Sequence, residues 1–357
     1  MRSVIRRGRL WRAAGRVASR GGGAVLIGVT LAGAPVLAPG SLARLAGPVL
    51  ASTGLASTGL AGTGLAGAQP AAAAVTAERA GAPSGPANVL ALGADLVDLR
   101  SGATLWSRAA NTPRPIASIT KVMTALVVLR DGHLNRKITV TRAAVRYVRR
   151  HDGTSAGLKA GDVLTARDLL NAMLLPSGCD AAFLLASAYA PSQADFVAQM
   201  NARAAALHMY STHFDNFDGL PMPTENADSS TPADLMRLAK AALARPLFAA
   251  IVAQKSRSLP ATPQHKAYFW KNTNLLLGSY PGTIGVKTGT TAGAGECLLF
   301  EATRGGRTLL GVVLHANGTR VARRYIMASR ILNWGFGTPG ASFAVPAVPA
   351  WANQPNS

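Results

Sequence analysis

A serine and a lysine three residues apart head the stretch Pro115-Ile-Ala-Ser118-Ile-Thr-Lys121-Val-Met-Thr-Ala-Leu-Val-Val-Leu129. A serine hydroxyl is a poor nucleophile until an adjacent base takes its proton, and a lysine in a dry pocket can have its pKa lowered enough to serve. Val122, Ala125, Leu126 and Leu129 follow i, i+3, i+4, i+7 spacing, which predicts a buried helix beginning close to Ser118. On that helix Ser118 and Lys121 share a side one turn apart, and the amides of its N-terminus favour developing negative charge. The four-residue pattern alone is equally met by a helix-start serine beside an unrelated exposed lysine.

A second lysine stands in Gly285-Val-Lys287-Thr288-Gly289-Thr290-Thr291, on an apparent strand. A lysine beside small hydroxyl residues can hold a carboxylate, and glycine lets a substrate lie against the strand edge. A phosphate loop is excluded because Walker A needs glycine directly before the lysine, where this chain has Val286. Between the two lysines lies Leu174-Leu-Pro-Ser177-Gly-Cys179-Asp-Ala181, a break between two helices that can aim side chains into a cleft. Gly153-Thr-Ser155-Ala-Gly157 formally satisfies a nucleophile elbow. That motif needs an apolar strand before it, and Tyr147-Val-Arg-Arg-His-Asp152 is too charged to be one.

Ser118-x-x-Lys121, the Ser177 loop and Lys287-Thr288-Gly289, separated by 59 and then 110 residues, resemble the motif set of the serine penicillin-recognising enzymes. The chain is similar to the D-alanyl-D-alanine carboxypeptidases among the low-molecular-mass penicillin-binding proteins (peptidase family S11). Further matches are Ala156 to Asp162, Asn216 to Leu220, Ser230 to Leu235, Asn272-Thr-Asn274 and Ala294 to Leu298, so the likeness runs from about Asn88 to Leu332. The resemblance implies an α+β, β-lactamase/transpeptidase-like fold, with an active site between an antiparallel sheet and a helical subdomain. It implies that Ser118 attacks the carbonyl between two D-alanines, Lys121 takes its proton and Ser177 relays a proton to the leaving amine. Lys287 would tune that relay, amides of Ser118 and Thr290 would bind the oxyanion, and Thr288, with Gly289 beside it, would meet the substrate carboxylate. Peptidoglycan stem peptides are the implied substrate and β-lactams the implied covalent inhibitors, with no cofactor, metal or nucleic-acid partner.

Two departures stand out. Cys179 occupies the asparagine position of the family's Ser-x-Asn motif, and a thiol holds a substrate backbone only weakly. A basic side chain that some relatives use for the carboxylate has no counterpart, with Thr273 near the matching position. A β-lactamase on the same scaffold would need a glutamate placed to drive a deacylating water. The only glutamate between Ser177 and Lys287 is Glu225, without that spacing. A wall-binding protein that lost its chemistry through Cys179 is the remaining alternative. Cys179 and Cys297 could form a bridge in an exported protein; the sequence favours two small buried residues.

The elements that must position these groups are legible in outline. Asn88 to Leu96 and Ala103 to Trp106 read as a hairpin around Asp98-Leu-Arg-Ser-Gly102. Thr165-x-x-Asp168, Ser192-x-x-Asp195 and Thr231-Pro232-x-Asp234 read as helix starts, because a hydroxyl accepts from free amides while an acid sits one turn in. Strand patterns return at Thr283 to Lys287, Glu296 to Ala302 and Arg307 to His315, with a turn at Gly305-Gly306, and a last helix is expected over Val321 to Leu332. Strands at both ends around a helical middle predict an α+β sheet that joins the chain's two ends.

The chain has 357 residues, 48% hydrophobic, with two cysteines, so it can bury a full core; disorder and a disulfide-stapled miniprotein are excluded. Thirty-seven basic residues against 16 acidic give +21, of which the eight arginines of residues 1–77 supply 8 and the rest of the chain +13. Such an excess suits an anionic neighbour: nucleic acid, a lipid surface or a wall polymer. Seven arginines in the first 20 residues precede the uncharged stretch Gly21 to Ala43, which reads as a secretory signal or a retained signal anchor. Either places the bulk of the chain outside the cytoplasm, in the envelope or secreted. The expected organisation is a signal sequence or anchor over 1–43, an Ala/Gly/Thr linker over 44–82, a catalytic domain over 83–337 and a Pro/Ala tail over 338–357. Because only that short tail follows Trp334, membrane attachment is expected from the N-terminus.

Overall fold

The computed structural model describes residues 85–316, 322–344 and 347–349. The signal and linker expected over 1–82, and half of the expected tail, lie outside the described residues.

The chain enters through β1 (Ala91–Asp98), turns where Asp98 accepts from the amides of Arg100 and Ser101, and returns as β2 (Thr104–Arg108). A short β3 (Arg114–Pro115) leads into a 3-10 turn over Ala117–Thr120 and then α1 (Lys121–Asp131). The predicted apolar stripe is only part of what α1 buries. Every residue from Lys121 to Val128 is buried, so α1 is a central helix enclosed on all sides rather than a surface helix with one dry face.

The helical middle follows: β4 (Lys137–Thr139), α2 (Arg142–Arg150), β5 (Val163–Thr165), α3 (Ala166–Leu174), α4 (Cys179–Ala188) and α5 (Gln193–Ala206). After them come β6 (Ser229–Ser230), α6 (Pro232–Leu243), α7 (Pro246–Val252) and the ribbon of β7 (Ser256–Leu259) with β8 (Tyr268–Lys271). All three expected caps form. Thr165, Ser192 and Thr231 accept from the amides of Asp168, Asp195 and Asp234, and each bond contributes about 1 kcal/mol.

Three long strands close the chain, β9 (Thr283–Thr291), β10 (Gly295–Arg304) and β11 (Arg307–Ala316), followed by α8 (Arg323–Gly335). The sheet runs β2-β1-β11-β10-β9, antiparallel throughout, so the hairpin from the start of the domain pairs with the strand from its end. Alternation along β10 and β11 decides the two layers. Leu298, Phe300, Leu309 and Val313 pack with Tyr325, Ile331 and Leu332 of α8. Cys297, Leu299, Leu310 and Val312 face the helical middle. A sheet covered on both faces accounts for the near-continuous apolar runs of these strands. β9 is the outermost strand, so half its backbone groups point away from the sheet. Among the described residues no helix is long and apolar enough to cross a membrane.

Candidate active site

The 3-10 turn carrying Ser118 lies directly against β9. A Cβ added at Gly289 would sit 2.8 Å from the carbonyl oxygen of Ile116 and 3.1 Å from the amide of Ser118, so only glycine admits this approach. Ala117 and Ser177, the residues that present the two halves of the site, both hold left-handed backbone conformations, with φ of 48° and 67°. Such conformations cost about 1–3 kcal/mol each and persist where surrounding packing enforces them.

Lys121 is fully buried, and its amine has three hydrogen-bond partners. Nζ donates to Ser118 Oγ at 2.7 Å, to the Asp218 carbonyl at 2.6 Å and to Cys179 Sγ at 3.4 Å. The Asp218 carbonyl is held in place by Asn216, whose Oδ1 accepts from the amides of Asp218 and Gly219 while its Nδ2 donates to the carbonyls of Leu220 and Met222. On the other side Lys287 Nζ donates to Ser177 Oγ at 2.9 Å and to the Thr288 carbonyl at 3.0 Å. Thr288 Oγ1 in turn shares a hydrogen bond with Thr273 Oγ1 at 2.6 Å. The three motifs, far apart in sequence, therefore form two lysine–serine pairs, Lys121 with Ser118 and Lys287 with Ser177, and Cys179 of the Ser177 motif contacts Lys121.

The Ser177 loop is braced by Asp180. Its carboxylate accepts from the amides of Ala156 and Ala181, each at 2.9 Å, and from Ser155 Oγ at 2.8 Å. Ser155 is thereby tied down in a loop after α2, and the formal nucleophile elbow has no strand before it. A cleft of about 430 Å³ opens beside the site, lined by Thr154 to Gly157, Pro176, Phe269 to Lys271 and Thr273.

Burial sets the electrostatics. It pushes Lys287 well below the ordinary lysine range, helped by the charges of Lys121 and Arg324. It pushes the Cys179 thiol up to about 12, with the Asp218 carboxylate adding to the effect, so Cys179 stays a neutral acceptor beneath Lys121. Cys179 and Cys297 are both buried and free, as the sequence favoured. Glu225 accepts from the amide of Gly293 at 2.9 Å, in the turn after β9.

A basic side chain does reach this strand, but from α8: Arg324, 1% exposed, donates from Nη2 to Thr290 Oγ1 and from Nη1 to the Gly289 carbonyl at 3.2 Å. Nε pairs with Glu296 on the neighbouring strand. Nothing in the local sequence announces Arg324, because only sheet pairing sets α8 beside β9. Arg324→Leu would leave Glu296 as an uncompensated buried charge, and we expect a loss of about 3–5 kcal/mol, read as a fall in Tm. An unchanged Tm would contradict this account of the pair.

A five-stranded antiparallel sheet covered by one terminal helix and by a helical layer, with a Ser-x-x-Lys turn on its edge strand, is the framework of the penicillin-recognising serine enzymes. Residues 78–318 match the family model described as D-alanyl-D-alanine carboxypeptidase, Peptidase_S11. The chain belongs to that family, and with it to the serine penicillin-binding enzymes. It is 40% identical over 260 residues to the D-alanyl-D-alanine carboxypeptidase of Streptomyces sp. strain K15, covering 70% of this chain and 88% of the relative. It is 36% identical to the D-alanyl-D-alanine carboxypeptidase DacB2 of Mycobacterium tuberculosis, covering 71% and 84%. The crystal structure of the Streptomyces K15 DD-transpeptidase matches with a TM-score of 0.66 at 39% identity, over 71% of this chain and 99% of that one.

Proposed function

We propose that Ser118 is the nucleophile of a D-alanyl-D-alanine carboxypeptidase acting on peptidoglycan stem peptides. The observation that carries this reading is the 2.7 Å separation of Ser118 Oγ from a fully buried lysine amine. With that amine neutral, the same separation passes the serine proton to Lys121 Nζ while Oγ bonds to the carbonyl carbon between the two D-alanines. The carbon–nitrogen bond then breaks, and Ser177 relays to the departing D-alanine nitrogen the proton that Lys121 took. Water hydrolyses the ester and returns Ser118.

The remaining groups take the roles that the family motifs imply. Amides of Ser118 and Thr290 flank the place where the oxyanion forms, and one such donor is typically worth about 100–1000-fold in rate. Lys287, through Ser177, and Thr288 with Gly289 and Thr290 supply the carboxylate end of the site. Cys179 supports Lys121 as an acceptor in the position that asparagine holds in the family motif. Glu225, the only glutamate between Ser177 and Lys287, is held by the Gly293 amide, and β-lactams are expected to act as slowly released inhibitors. The catalytic unit spans 83–337, the preceding segment directs it out of the cytoplasm or anchors it, and the wall lies outside.

The testing experiment measures D-alanine release from a synthetic pentapeptide, beside turnover of a chromogenic cephalosporin. Stoichiometric D-alanine with negligible cephalosporin turnover is expected, and rapid cephalosporin turnover would reverse the assignment to a β-lactamase. Acylation also has an expected pH dependence. The Lys287 ammonium donates to Ser177 and attracts the substrate carboxylate, and raising the pH through its depressed pKa removes that proton. The acylation rate constant for penicillin should therefore fall on an alkaline limb that begins below the ordinary lysine value of 10.5. A rate that stays flat through that value would remove Lys287 from the mechanism.

A further inference from the structure

Helix α2 carries two arginines, Arg149 and Arg150, in its last turn, where the helix dipole favours cations, and two more, Arg142 and Arg146, that this does not explain. Four of its nine residues are arginine, Arg142, Arg146, Arg149 and Arg150, and all four are exposed. Among the described residues none of them forms an ion pair. Like charges at i, i+3 and i+4 destabilise a helix by a few tenths of a kcal/mol, about 0.2–0.5 per pair. The helix nevertheless keeps them together. Arg146, Arg149, Arg150 and His151 rim an open groove of about 530 Å³ floored by Ala143, Tyr147 and Phe183, whose two rings lie 5.1 Å apart. The opposite side of α2 packs Val148 against Cys179 and Leu220, so the groove lies one helix away from Lys121.

We propose that this groove holds a linear phosphodiester polymer of the cell wall. Guanidinium forks match phosphate oxygens two at a time, and Arg146 lies one turn, about 5–6 Å at Cβ, from both Arg149 and Arg150, a spacing that calls for a ligand that repeats its charge along a chain. The aromatic floor offers apolar faces to the polyol or sugar carbons between the phosphates. The groove is concave, which suits a strand rather than a flat bilayer. None of the large exposed hydrophobic residues among those described, Leu90, Leu92, Tyr210 and Phe269, lines the groove, so the groove itself offers none of them to insert into lipid. The family's substrate is itself part of the wall, which favours a wall polymer over nucleic acid as the phosphodiester chain. Bound there, the polymer would hold the enzyme against the wall between turnovers.

The test uses the full chain and an Arg146→Gln/Arg149→Gln/Arg150→Gln variant, whose changes are all at exposed positions. Binding of purified poly(glycerol phosphate) is measured by calorimetry at several salt concentrations, beside an oligonucleotide with the same number of phosphates and phosphatidylglycerol vesicles. We expect the variant to bind poly(glycerol phosphate) at least about 10-fold more weakly. Its log K against log salt slope should be shallower by about two to three, roughly one per lost phosphate contact. Ser118 labelling by penicillin should be unchanged, which shows that the variant is folded and keeps failure of the carboxypeptidase reading distinguishable. Equal binding by the two proteins would overturn the proposal. So would tighter arginine-dependent binding of the oligonucleotide or the vesicles.

Discussion

Replacing Ser118 with alanine should abolish covalent labelling by fluorescent penicillin and lower D-alanine release by a factor on the order of 10⁴ to 10⁶. The size of the effect follows from the reaction type. Without Oγ no ester can form, and what survives is the smaller acceleration that oriented amides and binding provide over water. The fold should hardly notice. Ser118 is 2% exposed, and its hydroxyl receives the Lys121 bond and lies 3.4 Å from the Asp218 carbonyl, so its loss costs about 1 kcal/mol. Intact-protein mass spectrometry after penicillin treatment, with a thermal melt on the same sample, separates chemistry from folding. A penicillin adduct on the alanine variant would place the nucleophile elsewhere, with Ser177 the first residue to examine.

Lys121→Met should lower the acylation rate constant by about 10³-fold, within the range that general bases contribute. Methionine fills nearly the same volume and removes only the amine. Three acceptors then lose their donor: Ser118 Oγ, the Asp218 carbonyl and Cys179 Sγ. The buried Asp218 carbonyl is the costly one, and a stability loss of about 1–3 kcal/mol is expected with the loss of activity. Single-turnover kinetics with penicillin, run well below the variant's Tm, isolate the chemical step. Acylation within about 10-fold of the parent would transfer the base role to the Ser177–Lys287 pair.

The arginine-rimmed groove and the acyl site share α2 as a common wall. Tyr147 belongs to both, since its ring floors the groove and stacks toward Phe217, next to the Asp218 carbonyl that Lys121 uses. The two sites can nevertheless be tested apart, because the rim arginines make no contact with the reacting groups.

Local chemistry was legible from residue order alone. Caps at Thr165, Ser192 and Thr231 and the hairpin at Asp98 to Gly102 depend on bonds spanning a few residues, which a linear chain already specifies. The Ser118 to Lys121 pair is of the same kind, one turn apart on consecutive helical backbone. The long-range partners were not legible. Arg324 meets Thr290 across 34 residues and the Asp218 carbonyl meets Lys121 across 97, whereas the Lys287 to Ser177 pair, 110 residues apart, was indicated only by resemblance to the family motifs. Those contacts exist because the antiparallel sheet joins the chain's two ends and because a glycine at 289 lets its edge strand touch the serine turn. The complete burial of α1 was decided in the same way. An apolar stripe marks one dry face, and only the packing of other elements on every side determines whether the remaining faces are dry as well.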